Sequence, residues 1–414
     1  MTMRFFVVAT LCLFCAGGPS VAQDALVFQL MEDAIPATPA AEIARADIER
    51  SKSVGEQLVA GPYEFELTAS GGYRRVEAAM VPDMGYSEWS LDLTRAVRLP
   101  EKRQVDRALA SVEQDIAAAR RELSFYEERL AFVGLWNEWA RWAALTETSS
   151  QLADSAHELT RLAQARVDAG SGRQVEADLL AAEARALQLI AGDDRLRVEA
   201  ARAGLLQRYP GLSLPEAPPR LDLGPDRVAA MLAQSDAPAA ATRQAALEAE
   251  RARLLLRRSN AERRPDPTFG VGLRNEFGGD ETAIVASVSI PLGGRSRSSR
   301  VSEASAVARL AEAEQRRRAL DLDARILEAR HRYDRSDRLL AGAKATLDLT
   351  ASALDRMQAG YDLGEVRLDE IIPVRRRLAE AARVLAGHET ERQAAYLDLA
   401  VLLDVECGST ELPD

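Results

Sequence analysis

The chain has 414 residues, a formal net charge of -11 and a pI near 5.1, with lysine only at Lys52, Lys102 and Lys344. Such acidity argues against nucleic acid as a partner, since phosphates need a basic face. The length would permit two or three ordinary domains, but a composition dominated by alanine, leucine, arginine and glutamate argues for a few very long helices.

An export signal comes first. Arg4 precedes an apolar run from Phe5 to Cys15, and Ser20-Val21-Ala22 is a small-x-small site, so residues 1–22 are predicted to be a signal peptide cleaved before Gln23. The run is too short for a membrane helix. Neither Cys12 nor Cys15 sits in a lipid-attachment box, so no acyl anchor is expected, and removal of the signal leaves Cys407 alone. With one thiol there is no internal disulfide, and stability must come from packing and association.

Residues 25–60 read as helix interrupted at Ile35-Pro36 and Pro39, where each proline removes a donor and disfavours helix just before it. Two strands follow, predicted over 63–76 and 86–98. In the first, Tyr63, Phe65, Leu67, Ala69, Gly71 and Tyr73 alternate with Glu64, Glu66, Thr68, Ser70, Gly72 and Arg74. In the second, Trp89, Leu91, Leu93 and Val97 oppose Glu88, Ser90, Asp92 and Thr94. A period of two over about ten residues, bracketed by aromatics, is the pattern of a membrane-barrel strand with its apolar side outward.

Pro100 opens a helix expected to reach Ala169. Val105, Leu109, Val112, Ile116, Ala119, Leu123, Tyr126, Leu130 and Val133 are spaced alternately four and three, a coiled-coil seam. Trp136, Trp139 and Trp142 read as helix-packing residues. Gly170-Ser171-Gly172 then turns the chain into a helix over 175–208. A Pro-rich insertion over 209–225 separates this first repeat (23–208) from a second (226–406), which leaves a tail over 407–414.

The second repeat follows the first: a helix broken at Ala237-Pro238, strands over 268–277 and 282–292, a helix from Arg295 to near Ala359, and a last one over 369–403. Phe269, Val271, Leu273 and Phe277 are predicted on the apolar face of the third strand, and Ile284, Val288 and Ile290 on that of the fourth. Pro373 is expected within the first turn of the last helix, behind Asp369 as a cap. Four spanning strands cannot close a barrel, because eight is the smallest usual number and an open edge in lipid leaves backbone groups unpaired. Other copies must supply closure.

The most specific segments are Pro265-Asp266-Pro267-Thr268-Phe269-Gly270-Val271-Gly272, Ser289-Ile290-Pro291-Leu292 through Gly294-Arg295, and Tyr361-x-x-Gly364-x-x-x-x-x-Glu370-Ile371-Ile372, with Gly172 and Asp178-Leu179-Leu180 as the first-half counterpart of the last. On these, essentially the whole mature chain resembles the outer-membrane efflux protein family, the TolC-like channels, and the Pro-Asp-Pro-Thr entry looks closest to the heavy-metal efflux branch. The resemblance implies a mainly α fold with membrane β-strands: two inverted-style repeats of long coiled-coil helices plus four strands per protomer. It further implies a homotrimer with a 12-stranded barrel, a periplasmic α-helical tunnel, and a belt around it made by the Pro-rich insertion and the C-terminus.

Function follows from the same resemblance. It implies a passive exit duct in the outer membrane of a Gram-negative bacterium, for tripartite efflux or type I secretion, with metal cations among the cargoes. Its partners would be outer-membrane lipid, a periplasmic adaptor and an inner-membrane pump. The lipid-facing residues would be Phe65, Leu67, Trp89, Leu91, Phe269, Val271, Ile284 and Val288. The turns after the long helices, with Gly172 and Gly364, would form a constricted entrance gated by Tyr361, Glu370 and Asp178, with Arg367 as counter-charge; Pro373 stands where the family carries a further acid.

Catalytic signatures are missing. His157, His331 and His388 are scattered, none with a second histidine at i+4 or a cysteine nearby, and no nucleophile elbow occurs. No catalytic residue, metal ligand or cofactor is assigned. Two readings without a pore compete: a periplasmic adaptor, which needs one hairpin flanked by β modules, and a structural coiled-coil protein, which leaves the strands unexplained.

Overall fold

The computed structural model describes residues 19–78, 81–221, 223, 225–234, 240–363 and 365–404. Residues 1–18 of the predicted signal, the Ala237-Pro238 break, Gly364, Cys407 and the tail lie outside the described residues. The helices are α1 (Pro19–Ala34), α2 (Pro39–Ala60), α3 (Pro100–Asp168), α4 (Gln174–Arg208), α5 (Pro225–Gln234), α6 (Ala240–Ala261), α7 (Arg295–Asp362) and α8 (Leu368–Leu402). The strands are β1 (Phe65–Ala78), β2 (Val81–Ala96), β3 (Thr268–Glu276) and β4 (Glu281–Ser289). Helices α1, α2, α3 and α5 all begin on proline, whose fixed φ suits a helix and whose missing N–H would have no partner in the first turn. Among the described residues no helix is long and apolar enough to cross a membrane.

The repeat is visible in element lengths. Helices α2 and α6 have 22 residues each, and α4 and α8 have 35 each, beginning at Gln174 and Leu368, 194 positions apart. Contacts divide the chain into two units: Ala41–Ser124 with Pro238–Leu322, and Met1–Ala40 with Phe125–Ala237 and Asp323–Asp414.

The first of these units holds the sheet, which is antiparallel throughout in the order β1-β2-β3-β4. Strands β1 and β3 therefore run the same way. Strand β2 starts at Val81, five residues before the predicted Tyr86, because the ladder continues to Ala78↔Val81 through an irregularity after Val76. Gly85 and Met84 pair with Arg75 and Val76, and Val81 with Ala78, which carries the strand past the predicted start. Strand β4 stops at Ser289, short of the predicted Leu292; Pro291 just beyond has no N–H to continue the ladder. Phe277, expected on β3, instead opens the turn with φ 52°. Beside the sheet, Ala41, Ala44, Ser51 and Gly55 make a buried seam of small residues along α2. A side chain at Gly55 would press on Gln114 and on the Ala110 carbonyl at 3.3–3.4 Å, so glycine allows close approach to α3.

The second unit has an aromatic core. Trp136 and Trp139 pack edge to face at 5.1 Å, Phe132 stacks on Trp136 at 6.0 Å, and Phe132 meets Tyr209 at 5.3 Å. Trp136 and Trp139 thus serve packing, as predicted, whereas Trp142 is half-buried with the Arg197 guanidinium 4.5 Å over its ring. Tyr209, just past the end of α4, donates to the Glu128 carbonyl at 3.1 Å and to its carboxylate at 3.2 Å. Burial and the adjacent Glu128 charge push its phenol up to about 12. Along α7 the small residues Ala329 and Ser336 are buried, at 0% and 3% exposure.

Candidate functional site

One candidate surface is the sheet itself. Its register sets Phe65, Leu67 and Ala69 beside Arg95, Leu93 and Leu91, then Phe269, Val271 and Leu273, then Val288, Ala286 and Ile284. The odd positions of β1 to β3 and the even positions of β4 share one face. On the single chain that face is bare: Phe65 is 64%, Leu67 64%, Val271 53%, Ile284 79% and Val288 62% exposed, and Trp89, Leu91 and Phe269 are exposed with them. Burying such surface is worth roughly 25 cal/mol per Å², and a contiguous apolar face marks an interaction surface.

The opposite face is polar. Ser70 and Ser90 hydrogen-bond at 2.9 Å, Arg74 pairs with Glu88 at 3.0 Å, and Arg274 lies 3.6 Å from Glu276. Gly270 and Gly272 make room on this face. A Cβ on Gly272 would stand 2.1 Å from Asp92 Oδ1, and one on Gly270 would stand 2.5 Å from Ser287 Oγ. Phe277 packs edge-on against Tyr86 at 5.3 Å with the Arg74 guanidinium over its ring at 5.8 Å, so it leaves the apolar row predicted for it. Arg95 sits on the apolar row, where sequence reading had no place for it. Its guanidinium lies 4.7 Å over the Phe65 ring and its Nε donates to the Tyr63 carbonyl at 2.9 Å, the behaviour of a long side chain that buries its stem and keeps its charge satisfied.

A buried ion network fixes the root of the sheet. Arg98, 6% exposed, grips Asp106 through two bonds of 2.8 and 3.0 Å and reaches Glu262 and, at 3.1 Å, Asp266. Lys102, 1% exposed, pairs with Glu262 and Asp266 at 3.1 Å each, and Arg258 with Asp106 at 2.9 Å. Asp266 also accepts from the Leu99 N–H at 3.0 Å. Three cations meet three carboxylates, so charges costly to bury singly are neutralised together. Burial opposes ionisation of Glu262, but hydrogen bonds from Arg98 and Lys102 outweigh it and hold the carboxyl below its ordinary range; the Leu99 N–H and the same two cations do likewise for Asp266.

The other candidate surface lies where α3 turns into α4 and α7 into α8. The Ser171 and Gly172 N–H groups both bond to the Arg166 carbonyl at 2.9 Å, and the Glu365 and Val366 N–H groups bond to the Gly360 carbonyl at 2.8 and 3.3 Å. Each turn then reaches an extended arginine, Arg173 or Arg367, as the helix cap, and Glu176 and Glu370 each donate an N–H to the cap carbonyl at 3.1 Å. Gly170 takes φ +74°, and a Cβ on Gly172 would meet the Val167 nitrogen at 2.8 Å, so both glycines are required by the backbone.

This correspondence corrects two expectations. The acid equivalent to Glu370 is Glu176, not Asp178, which is exposed and accepts a bond from Gln174 within its own helix at 2.9 Å. Asp369 is the second residue of α8 rather than its cap, so Pro373 falls in the second turn, inside the helix.

Tyr361 is the residue brought inward. It packs on the cluster of Ala163, Ala177 and Leu180, its hydroxyl donates to Glu176 at 3.4 Å, and Arg166 lies 4.7 Å over its ring. Glu370 and Arg367 are both exposed. Above them the hairpins are cross-linked by Arg376 to Glu183 at 2.6 Å, by Arg375 to Ser155 at 2.8 Å, and by Arg383 to Asp194, which also accepts from Ser149 at 2.9 Å. Burial works against the charge of Asp194, but the Arg383 and Ser149 hydrogen bonds prevail and its carboxyl titrates low. These links had no sequence motif. Only the exact spacing of the two repeats could have singled out Glu176.

No family model matches the chain, and no curated protein matches it in sequence. Solved structures do match. The outer membrane protein VceC from Vibrio cholerae is 17% identical with a TM-score of 0.74, covering 93% of this chain and 97% of that one. The outer-membrane channel OprN is 16% identical with a TM-score of 0.74, covering 94% and 92%. The CmeC outer membrane channel of Campylobacter jejuni is 12% identical with a TM-score of 0.66, covering 97% and 93%. The chain has the fold of these outer-membrane channels over nearly its full length.

Proposed function

We propose that the chain is the outer-membrane channel of a tripartite efflux or type I secretion system, a passive duct in which three copies close one 12-stranded barrel. The observation that carries this reading is the four-stranded sheet, apolar on one face and polar on the other, whose edges β1 and β4 have no neighbour among the described residues. In lipid those edges must be paired, and antiparallel closure needs an even strand number. Phe65, Leu67, Trp89, Leu91, Phe269, Val271, Ile284 and Val288 meet lipid. The hairpin turns face the periplasmic partners, an adaptor and an inner-membrane pump. Neither an adaptor nor a structural coiled coil has use for such a sheet.

The gate is formed by Tyr361, Glu370 and Glu176, with Asp178 and Arg367 beside them. The Tyr361–Glu176 contact supports this, since it ties the second hairpin to the first at the turns. Metal cargo would suit the acidic excess of the polar sheet face. The Pro-Asp-Pro-Thr entry adds little, because Asp266 is committed to Leu99, Arg98 and Lys102. Planar-bilayer recording of the purified protein is the test: ohmic steps are expected, with higher conductance for Tyr361→Phe combined with Glu176→Gln. Loss of channel activity in correctly inserted wild type would end the duct reading, and a double variant identical to wild type would remove these residues from the gate.

A further inference from the structure

In the unit that carries the hairpin turns, two cavities flank α8 and share Arg141, Val384 and Gly387 in their walls. The larger, 590 Å³, lies among α3, α4 and α8, and its wall is largely hydrocarbon from Leu145, Leu152, Leu187 and Ile190. The two arginines there besides Arg141 are already matched, Arg376 to Glu183 and Arg383 to Asp194. The smaller cavity, 380 Å³, lies among α3, α7 and α8 and is different in charge. Arg141, Arg332, Arg335 and His388 converge on it, against Glu391 alone.

Those cations are underused. Arg141 and Arg335 have no carboxylate partner among the described residues, and Arg141 only lies over the Trp142 ring at 5.7 Å. Arg332 binds Asp398 at 2.6 Å and stands 3.9 Å from Glu391, but its buried Nε has no acceptor. Other arginines of the unit are matched, as in Arg129 with Glu32 and Asp404 and Arg208 with Glu128. In a chain of net charge -11, this cavity has more cations than carboxylates in its walls, and two of its guanidiniums, those of the exposed Arg141 and Arg335, are unmatched among the described residues. Gly387 adds no side chain where the cavities meet, and a Cβ there would touch nothing within 4 Å.

From this juxtaposition we infer that the cleft is a binding site for an amphipathic organic acid, with its carboxylate or phosphate head on Arg141 and Arg335 and its hydrocarbon body along Leu145, Leu152 and Ile190. Planar guanidiniums hold either oxyanion through paired N–H bonds. A pocket that is mostly hydrocarbon with a few convergent polar groups is the usual form of a small-molecule site. The site goes beyond the duct reading and does not depend on pore opening.

Equilibrium dialysis of the full-length protein in zwitterionic nanodiscs, with empty discs subtracted, tests it. The probes are octanoate, octyl phosphate, octanol and octyltrimethylammonium. Both acids are expected to bind in preference to octanol and the cation, and the ratio of octanoate to octyl phosphate affinity identifies the preferred head group. Arg141→Ala with Arg335→Ala should weaken acid binding at least tenfold, while Arg141→Lys with Arg335→Lys should restore part of it in a protein of unchanged thermal stability. Equal binding of the cation, acid binding indifferent to the double alanine variant, or a cleft filled by a second copy and closed to every probe would overturn the inference. Bilayer conductance in the same double variant separates the two readings, because it is expected to stay at the wild-type level.

Discussion

At the scale of single residues, Arg98 is the side chain whose loss should be felt most. Its guanidinium is buried against Asp106 and reaches Glu262 and Asp266, so Arg98→Met leaves Asp106 buried with only Arg258 opposite. Breaking a buried pair from one side costs about 3–5 kcal/mol, to be read from denaturant unfolding. Adding Asp106→Leu should return a good part of the loss, since removing both partners spares the desolvation of an unpaired charge; no recovery would mean the network is not a coupled unit. Glu262 and Asp266, held below their ordinary range, stabilise the fold fully at pH values above the unfolded carboxylates, about 4. That contribution is lost as pH falls through their lower folded values. Unfolding series between pH 7 and 3 should therefore show an acid limb, and Glu262→Gln with Asp266→Asn should flatten it.

Among elements, the strands were the most legible, because a period of two survives any register and names the faces without a structure. Val271 stands mid-strand on the bare face and Arg274 on the polar one. Val271→Arg should impair barrel insertion by about 2–4 kcal/mol if it meets the middle of the bilayer, whereas Arg274→Ala should insert normally. Heat-modifiable migration on gels reads both, and equal defects would mean the faces are misassigned. Illegible features were those that depend on pairing across long separations. The start of β2 before Tyr86 was not legible, because Gly85, Met84 and Val81 belong to the strand through their pairing with Arg75, Val76 and Ala78 of β1. The acid at the first hairpin was sought at Asp178 by motif, whereas identical turn hydrogen bonds put Glu176 in that place. The Arg376, Arg375 and Arg383 links join helices about 190 to 220 residues apart in sequence, and nothing local marks such pairs among so many helix charges.

For the whole molecule, unpaired β1 and β4 edges mean that native mass measurement in mild detergent should find three chains and no stable monomer with intact β signal. The polar sheet face carries Glu66, Glu88, Asp92, Glu276 and Glu281 against Arg74 and Arg274, so a closed barrel should prefer cations. A reversal potential of the opposite sign under a salt gradient would contradict that arrangement of faces. The root network also sets a clock. Lys102 lies 160 positions before Glu262, and Arg98 lies 164 before Glu262 and 168 before Asp266. At the ordinary speed of synthesis, about 5–20 residues per second, these cations wait roughly 8–30 s for carboxylates that do not yet exist. Strand β2 waits equally long for β3. The first half of the chain therefore emerges with its anchoring charges and the β3-facing edge of β2 unanswered, and the sheet can be completed only after the second half has been made.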